Sequence, residues 1–184
     1  MRKLVVAMFV SLDGYIEGPN KELVGPAWSA DLGKYWINDN IERAGATLYG
    51  RVSYEGMAAY WTSPAADSKE AARLTALPKF VLSTTLKTAA WANTTIVSDD
   101  VAGVVNRLKA EPGKDLMMFG GAGAANSLTR LALVDEYRIL LNNIVLGGGT
   151  PLFQGGYDRF GLDLLDVQKF DKGAVLLSYK PKGK

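Results

Sequence analysis

Neither cysteine nor histidine occurs in the 184 residues of the chain. Their absence removes thiol nucleophiles, disulfides, Ser-His-Asp relays and most zinc or iron sites in one step, and no metal is expected. Any proton that moves must pass through Asp, Glu, Lys, Tyr or water. A reaction whose hard step is carried by a bound cofactor asks least of this inventory. Long apolar runs are missing too. Nothing approaches the roughly 20 residues that span a bilayer, and the apolar stretch after Met1-Arg2-Lys3 is too short for a secretory signal, so a cytoplasmic protein without a membrane partner is expected. Charge of one sign is also scarce, with a formal net charge of +2. The basic cluster Lys180, Lys182 and Lys184 reads as a solvated tail. No stripe of Lys and Arg alternates with stacking aromatics, which argues against a nucleic-acid partner.

What is present reads as one globular domain over residues 1–184. With 48% hydrophobic and 22% charged residues, a chain of this length buries well over half of its unfolded surface. Leu4 to Val10 is continuously apolar, as suits a strand buried on both faces of a parallel sheet. Ser11-Leu12-Asp13-Gly14 is a turn, and Gly18 to Pro26 a loop. Trp28 to Ala44 has a helical apolar face with Ser29 as its cap. Thr47 to Tyr49 is a short strand ending at Gly50-Arg51, and Ser53 starts a helix through Tyr60. Ala65 to Leu77 is helical until Pro78 forbids continuation. Lys79 to Leu82 and Thr94 to Val97 are strands, and Val101, Val104, Val105 and Leu108 mark a helix. Leu162 to Phe170 and Ala174 to Tyr179 flank Asp171-Lys172-Gly173 as a hairpin. The sum is an α/β protein of three layers, α/β/α, with a mostly parallel central sheet and a C-terminal antiparallel hairpin. On such sheets ligands sit beyond the carboxyl ends of the strands.

The stretch from Asp115 to Phe153, DLMMFGGAGAANSLTRLALVDEYRILLNNIVLGGGTPLF, reads as strand, glycine turn, helix, strand and second glycine turn. Side chains vanish across Gly120, Gly121, Ala122, Gly123 and Ala124, where a helix N-terminus offers unpaired N–H groups and about half a positive charge to an anion. The run nearly spells the dinucleotide fingerprint G-x-G-x-x-G. It ends in Asn126 instead of glycine, and Leu141 and Asn142 stand about 20 residues on, where an acidic ribose partner is wanted. No Gly-Lys-Ser/Thr completes a P-loop either. A glycine turn that lets a helix pack close to the sheet explains the stretch equally well.

A second junction, Gly50-Arg51-Val52-Ser53, joins an open helix start to a guanidinium and a hydroxyl, and Arg presents a planar fork of donors to phosphate oxygens. Ser83 and Thr84, after Leu82, add hydroxyls at a further strand end, which suits a 2′-phosphate lying against Arg51. Each alone has a bland reading, a surface charge or a turn with self-satisfied hydroxyls. Three such junctions at one sheet edge point to a shared phosphate site.

Ser11-Leu12-Asp13-Gly14-Tyr15-Ile16, Leu48-Tyr49-Gly50-Arg51-Val52-Ser53-Tyr54-Glu55, Lys79 to Ser83, Gly120-Gly121, Leu133-Val134-Asp135-Glu136 and Leu146 to Phe153 follow one another over nearly the whole chain. Together they resemble the dihydrofolate reductase-like superfamily. Within it the chain is most similar to the branch of the C-terminal reductase domain of the riboflavin-biosynthesis protein RibD. The resemblance implies the dihydrofolate reductase-like fold, NADPH as cofactor and a homodimer formed through the C-terminal part of the sheet. It sets the adenosine 2′-phosphate near Arg51, Ser83 and Thr84, with Gly50 and Leu82 at the same strand ends. Pyrophosphate falls near Ser53 and the Gly120 to Ala124 turn, and nicotinamide by Ala7 and the Asp13-Gly14 loop.

The implied activity is hydride transfer from NADPH to a small pterin-like or pyrimidine/flavin-precursor-like substrate, as in 5-amino-6-(5-phosphoribosylamino)uracil reductases or dihydrofolate reductases. Asp13 and Asp31 are the candidate catalytic carboxylates. Their bland readings are a turn aspartate bonded to its own backbone and a first-turn helix acid. Trp28, Tyr35 and Tyr54 are candidates for the substrate pocket, against core packing or a dimer seam for the same rings. Ala7 stands where the riboflavin-pathway reductases carry Lys, which puts a phosphoribosyl substrate in doubt. The alternative is a non-catalytic dinucleotide-binding or dimeric interaction module that kept the fold and lost the substrate site.

Overall fold

The computed structural model describes residues 1–66 and 68–183. Its first half comprises β1 (Leu4–Ser11), β2 (Tyr15–Glu17), α1 (Ala30–Tyr35), β3 (Ala44–Gly50), α2 (Arg51–Trp61), α3 (Lys69–Ala76), β4 (Lys79–Leu82) and β5 (Thr94–Val97). Then come α4 (Val101–Ala110), β6 (Asp115–Met118), α5 (Ala122–Arg130), β7 (Glu136–Asn142), β8 (Thr150–Pro151), β9 (Leu162–Lys169) and β10 (Val175–Pro181). Eight strands form one sheet in the order β5-β4-β3-β6-β1-β7-β10-β9. The first six are mutually parallel, and β10 and β9 add the antiparallel pair. β2 and β8 pair separately.

Alternation along β1 sets the layers, because successive side chains point to opposite faces of a strand. Leu4, Val6, Met8 and Val10 pack with Val105 and Leu108 of α4 and with Ala125 and Leu128 of α5. Val5 and Ala7 face the other way, into a cluster with Ile41, Tyr54 and Ala58 of α2 and Leu74 of α3. Both faces are therefore dry, which explains the unbroken apolar run. The six parallel strands end at one edge, carrying Ser11, Gly50, Leu82 and the turn after Met118 to the same side. Among the described residues no helix is long and apolar enough to cross a membrane.

Two helices differ from the sequence expectation. The expected helix from Trp28 to Ala44 is a six-residue α1 that widens into a π turn over Trp36–Ile41, closed by Glu42 N–H donating to the Ile37 carbonyl. The widening turns the Asp39 carbonyl and Asn40 Oδ1 toward Arg138, whose Nη1 donates to both. Ser29 takes the cap position but makes no side-chain cap bond. The expected helix from Ala65 to Leu77 is a 3₁₀ turn, Pro64–Ala66, followed by α3, whose cap is Ser68 accepting from Ala71 N–H at 3.1 Å. Asp67, between them, lies outside the described residues. Helix α2 begins two residues before Ser53, with Gly50 as its cap.

Lys79 opens β4 with no exposed surface. Its Nζ donates to the carbonyls of Thr75, Leu77 and Ala92 at 2.8 to 2.9 Å and lies 4.5 Å from the centre of the Trp91 ring. The ammonium thus ties the end of α3 to the turn before β5. Replacing Lys79 by Met leaves three carbonyls without this donor, a loss of about 2–4 kcal/mol seen as a lower urea midpoint. Burial pushes Lys79 down to about 8 from the usual 10.5. Between those values the unfolded chain binds more protons, so the penalty on the charge is full below pH 8 and relieved as pH rises toward 10.5. Over that window the gap between wild type and Lys79→Met widens in favour of wild type. Urea titrations of both proteins across the window check the sign.

Candidate functional site

Two helix N-termini meet at the carboxyl edge of the sheet. Gly121 caps α5 with φ +94, Gly50 caps α2, and neither end carries a side-chain cap. The first N–H groups of both helices are free of such a partner. A Cβ on Gly121 would stand 3.1 Å from Ser53 Oγ and 3.5 Å from Gly50 N, and one on Gly50 3.2 Å from Ala124 Cβ. Any side chain would fill the space between the two ends, and an L residue at Gly121 would also be strained. The glycine turn and the Gly50–Ser53 junction are one cradle. An anionic dinucleotide fits its chemistry, since it presents open backbone donors and positive helix ends.

The adjoining strand end completes the row. Gly50 pairs with Leu82 across β3 and β4, which puts Arg51 and Ser83 next along neighbouring strands. Ser83 Oγ accepts from Leu86 N–H at 2.9 Å and Thr85 N–H at 3.2 Å, and lies 3.4 Å from Thr85 Oγ1, a contact in which either hydroxyl can donate. Thr84 is exposed. Arg51 is also exposed and pairs with Glu55, Nη1 to Oε2, at 2.9 Å. Ala7 lies on β1 facing α2, while Gly14 closes the SLDG turn with its N–H on the Ser11 carbonyl at 3.0 Å.

Asp13 acts as a clamp. Its carboxylate accepts from Ser11 Oγ at 2.7 Å, Leu146 N–H at 3.1 Å and Gly147 N–H at 2.8 Å, while Leu12 N–H donates to the Ile144 carbonyl. The Ser11 hydroxyl, followed by the two amides, holds the Asp13 carboxyl below its ordinary value. The far end of the same loop is held by Asn126, which is buried on α5. Asn126 donates to the carbonyls of Ala122 at 2.8 Å and Leu152 at 2.6 Å and accepts from Gln154 N–H at 2.8 Å. The side chain that breaks the dinucleotide fingerprint therefore joins the helix of the first glycine turn to the loop of the second. Sequence reasoning missed this role; the signal was an amide at the one position where the fingerprint requires no side chain. Gly149 completes the loop, where a Cβ would overlap the Glu17 carbonyl.

Asp31 is likewise an acceptor. Its carboxylate takes Leu32 N–H at 2.9 Å and Asp171 N–H at 3.0 Å, tying α1 to the β9–β10 turn. The Ser29 hydroxyl beside it, then those amides, lowers its proton affinity. Both candidate carboxyls are thus ionised at neutral pH and occupied by donors, which leaves neither with a proton to give.

The aromatics divide into core and edge. Tyr54 is buried, 2% exposed, stacked near Tyr49 and Trp91, and its hydroxyl accepts from Trp91 N–H at 2.9 Å. It belongs to the core under α2. Tyr35 packs on Phe170 at 5.5 Å, over the β7–β10 part of the sheet, away from Ala7. Trp28 is 47% exposed and meets Phe9 edge-on at 5.9 Å. Phe9 lies 4.6 Å from Trp36, and Trp36 lies 5.5 Å from Phe119, the residue before Gly120. Phe9, Trp28, Trp36 and Phe119 make an aromatic wall leading from β1 to the cradle; the two Phe residues were not anticipated because each reads as an ordinary strand residue. Hollows of about 360 and 350 Å³ lie elsewhere, one between β5 and α4 and one at the amino ends of β3 and β6. Neither adjoins the cradle, and the convergence of open donors outweighs volume as a guide to chemistry here.

The comparisons with known proteins bear on family and fold. Residues 2–176 match the model of the family described as the RibD C-terminal domain. The chain is 30% identical over 185 residues to the uncharacterized protein YyaP of Bacillus subtilis, covering 99% of this chain and 96% of that one. A putative riboflavin biosynthesis protein from Shewanella sp. PV-4 superposes with a TM-score of 0.77 at 22% identity, covering 98% and 99% of the two chains. The dihydrofolate reductase of Enterococcus faecalis, solved in complex with NADP(H), superposes with a TM-score of 0.64 at 14% identity over 98% and 96%. These two likenesses establish the fold.

The clamp has a pH signature. Asp13→Ala speeds amide exchange at Leu146 and Gly147 by about tenfold at neutral pH, as expected for losing charge-assisted acceptors. In the wild type, a carboxyl whose folded value is depressed contributes protection that is full above its unfolded value and lost as pH falls through the folded one. The protection of these amides, taken as the exchange rate relative to the intrinsic rate at each pH, should therefore fall only below about pH 4. Hydrogen exchange read by NMR at each pH checks both statements.

Proposed function

The chain belongs to the RibD C-terminal domain family, and from that membership we propose that it is an NADPH-dependent reductase acting on a small, flat, ring-containing substrate as a cytoplasmic homodimer. The observation that carries the reading is the cradle where α2 and α5 meet at Gly50 and Gly121, with Arg51 and Ser83 beside it. In this reading pyrophosphate lies against the open amides and Ser53, and the 2′-phosphate takes the fork of Arg51 with the hydroxyls of Ser83 and Thr84. Ala7 and the Asp13-Gly14 turn border the nicotinamide.

When bound, NADPH supplies the hydride. The chain contributes binding and orientation. Asp13 and Asn126 fix the loop from Ile144 to Gln154 at both ends, which holds the mouth of the site in one arrangement. Phe9, Trp28, Trp36 and Phe119, packed edge-on and tilted, give an apolar wall that excludes water. Arg138, a cation on the same sheet face, is committed to Glu136, Asp39 and Asn40. A neutral pterin-like or pyrimidine-like ring suits this wall better than a phosphoribosyl compound, which needs a free cation for its phosphate. Because Asp13 and Asp31 are held as acceptors, the proton that accompanies the hydride is assigned to water.

Calorimetric titration with NADPH and NADH tests the cofactor. NADPH is expected to bind more tightly by about tenfold or more, and Arg51→Ala to abolish the difference. Binding of neither cofactor, or an NADPH preference that survives Arg51→Ala, rejects the reading. Tight NADPH binding without oxidation in the presence of dihydropterin or pyrimidine acceptors favours the non-catalytic module instead.

The dimer rests on β9. This edge strand exposes Leu164, Leu165 and Val167 by about half, and Val167 and Leu164 pair with Leu177 and Tyr179 of β10 on one sheet face. An apolar face continuous with an open strand edge suits a second copy. The wild type is expected to sediment as a dimer and the double variant Leu164→Asp/Val167→Asp as a monomer of unchanged far-UV dichroism. A monomeric wild type defeats this part of the proposal.

A further inference from the structure

Arg51 is the first residue of α2, and a side chain in a helix leans toward the N-terminus by default, here toward the carboxyl edge of β4. The observed pairing runs the other way. Nη1 of Arg51 reaches Oε2 of Glu55, one turn further into α2, at 2.9 Å. The guanidinium is thereby directed along the helix toward Glu55. This latch is weak by construction. Both side chains are about half exposed, at 43% and 48%, and exposed i,i+4 pairs contribute little. The order of charges, cation first and anion second, also opposes the helix dipole.

A phosphate dianion arriving beside Arg51 meets two consequences of Glu55. It must compete with the carboxylate for the fork, and it must approach a negative charge one helical turn from the fork. NADH lacks this phosphate and meets neither. We propose that Glu55 holds Arg51 in this pairing and thereby limits how strongly the protein prefers 2′-phosphorylated over unphosphorylated nicotinamide dinucleotides. The proposal rests on the cofactor reading above and names Glu55 as a specificity-determining residue of that site.

The test measures equilibrium binding of NADPH, NADH, adenosine 2′,5′-bisphosphate and adenosine 5′-monophosphate by calorimetry. Wild type, Glu55→Gln, Arg51→Ala and the double variant are compared at low and physiological salt. Glu55 is exposed, and among the described residues its hydrogen-bond and ion-pair partner is Arg51, so Glu55→Gln is expected to keep the fold. Glu55→Gln is expected to tighten NADPH and the bisphosphate by about threefold to tenfold while leaving NADH and the monophosphate unchanged. The gain shrinks at physiological salt and drops to the smaller part due to direct repulsion when Arg51 is Ala, since nothing remains to be latched. A gain of equal size in the Arg51→Ala background assigns the effect to direct repulsion and overturns the latch. Weaker or unchanged NADPH binding in Glu55→Gln, with Arg51→Ala still losing affinity, overturns it while sparing the cofactor reading. Arg51→Ala without effect rejects the cofactor reading itself.

Discussion

Strand β1 is buried on both faces, and most of what surrounds it follows from that. A strand with no wet face must be covered by helices above and below, and strands joined through covering helices run parallel. Parallel strands end together. The chain ends that emerge from β1, β3, β4 and β6 are thereby delivered to one edge, and the helices that return from that edge start there, with their unpaired amides facing outward. The cradle between Gly50 and Gly121 is thus a consequence of the layering, and the glycines keep that consequence open by placing no carbon between the two helix starts.

The layering was legible in the sequence because hydrophobic pattern and turn residues agreed. Leu4 to Val10, Lys79 to Leu82 and the C-terminal hairpin fell within a residue or two of their observed limits. The segment from Trp28 to Ala44 was harder. Its apolar spacing fits a helix, but the π turn over Trp36–Ile41 is set by tertiary bonds from Arg138, nearly a hundred residues away, which no local window contains. Pattern reading finds elements that satisfy themselves; it fails where a distant donor rewrites the backbone.

The site shows the same division. The glycines and Arg51 stood out in the sequence because missing side chains and a guanidinium at a helix start are local features, and the fold brings those positions to one edge. Tyr54 looked like a pocket residue, since an aromatic one turn after Gly-Arg suits either face of α2. Only the packing of Tyr49 and Trp91 decides that it faces inward. Asp13 carried the motif faithfully, yet the partners that fix its role, Leu146 and Gly147, lie more than 130 residues on. Asn126 was read as a flaw in a fingerprint and is instead the bond between two motifs, the glycine turn and the LGGGTPLF loop. Motifs far apart in sequence recur together here because their side chains hold one another.

The deployment of charge bears on what chemistry remains. Lys79 is committed to three carbonyls, Arg138 to Glu136 and the π turn, Arg2 to the Lys114 carbonyl, and Lys109 to the Leu133 carbonyl and Asp135. Asp13 and Asp31 hold backbone amides. In a chain without His or Cys, the ionisable groups that elsewhere act as acids and bases serve here to close loops and end helices. A protein so arranged gains most from a ligand that brings its own reactivity. Its selectivity then depends on surfaces that are not committed: the aromatic wall from Phe9 to Phe119, and the lightly held guanidinium of Arg51 at the rim. A weakly restrained cation at the rim can be redirected by an arriving anion at little cost, which no cation already committed to buried carbonyls allows.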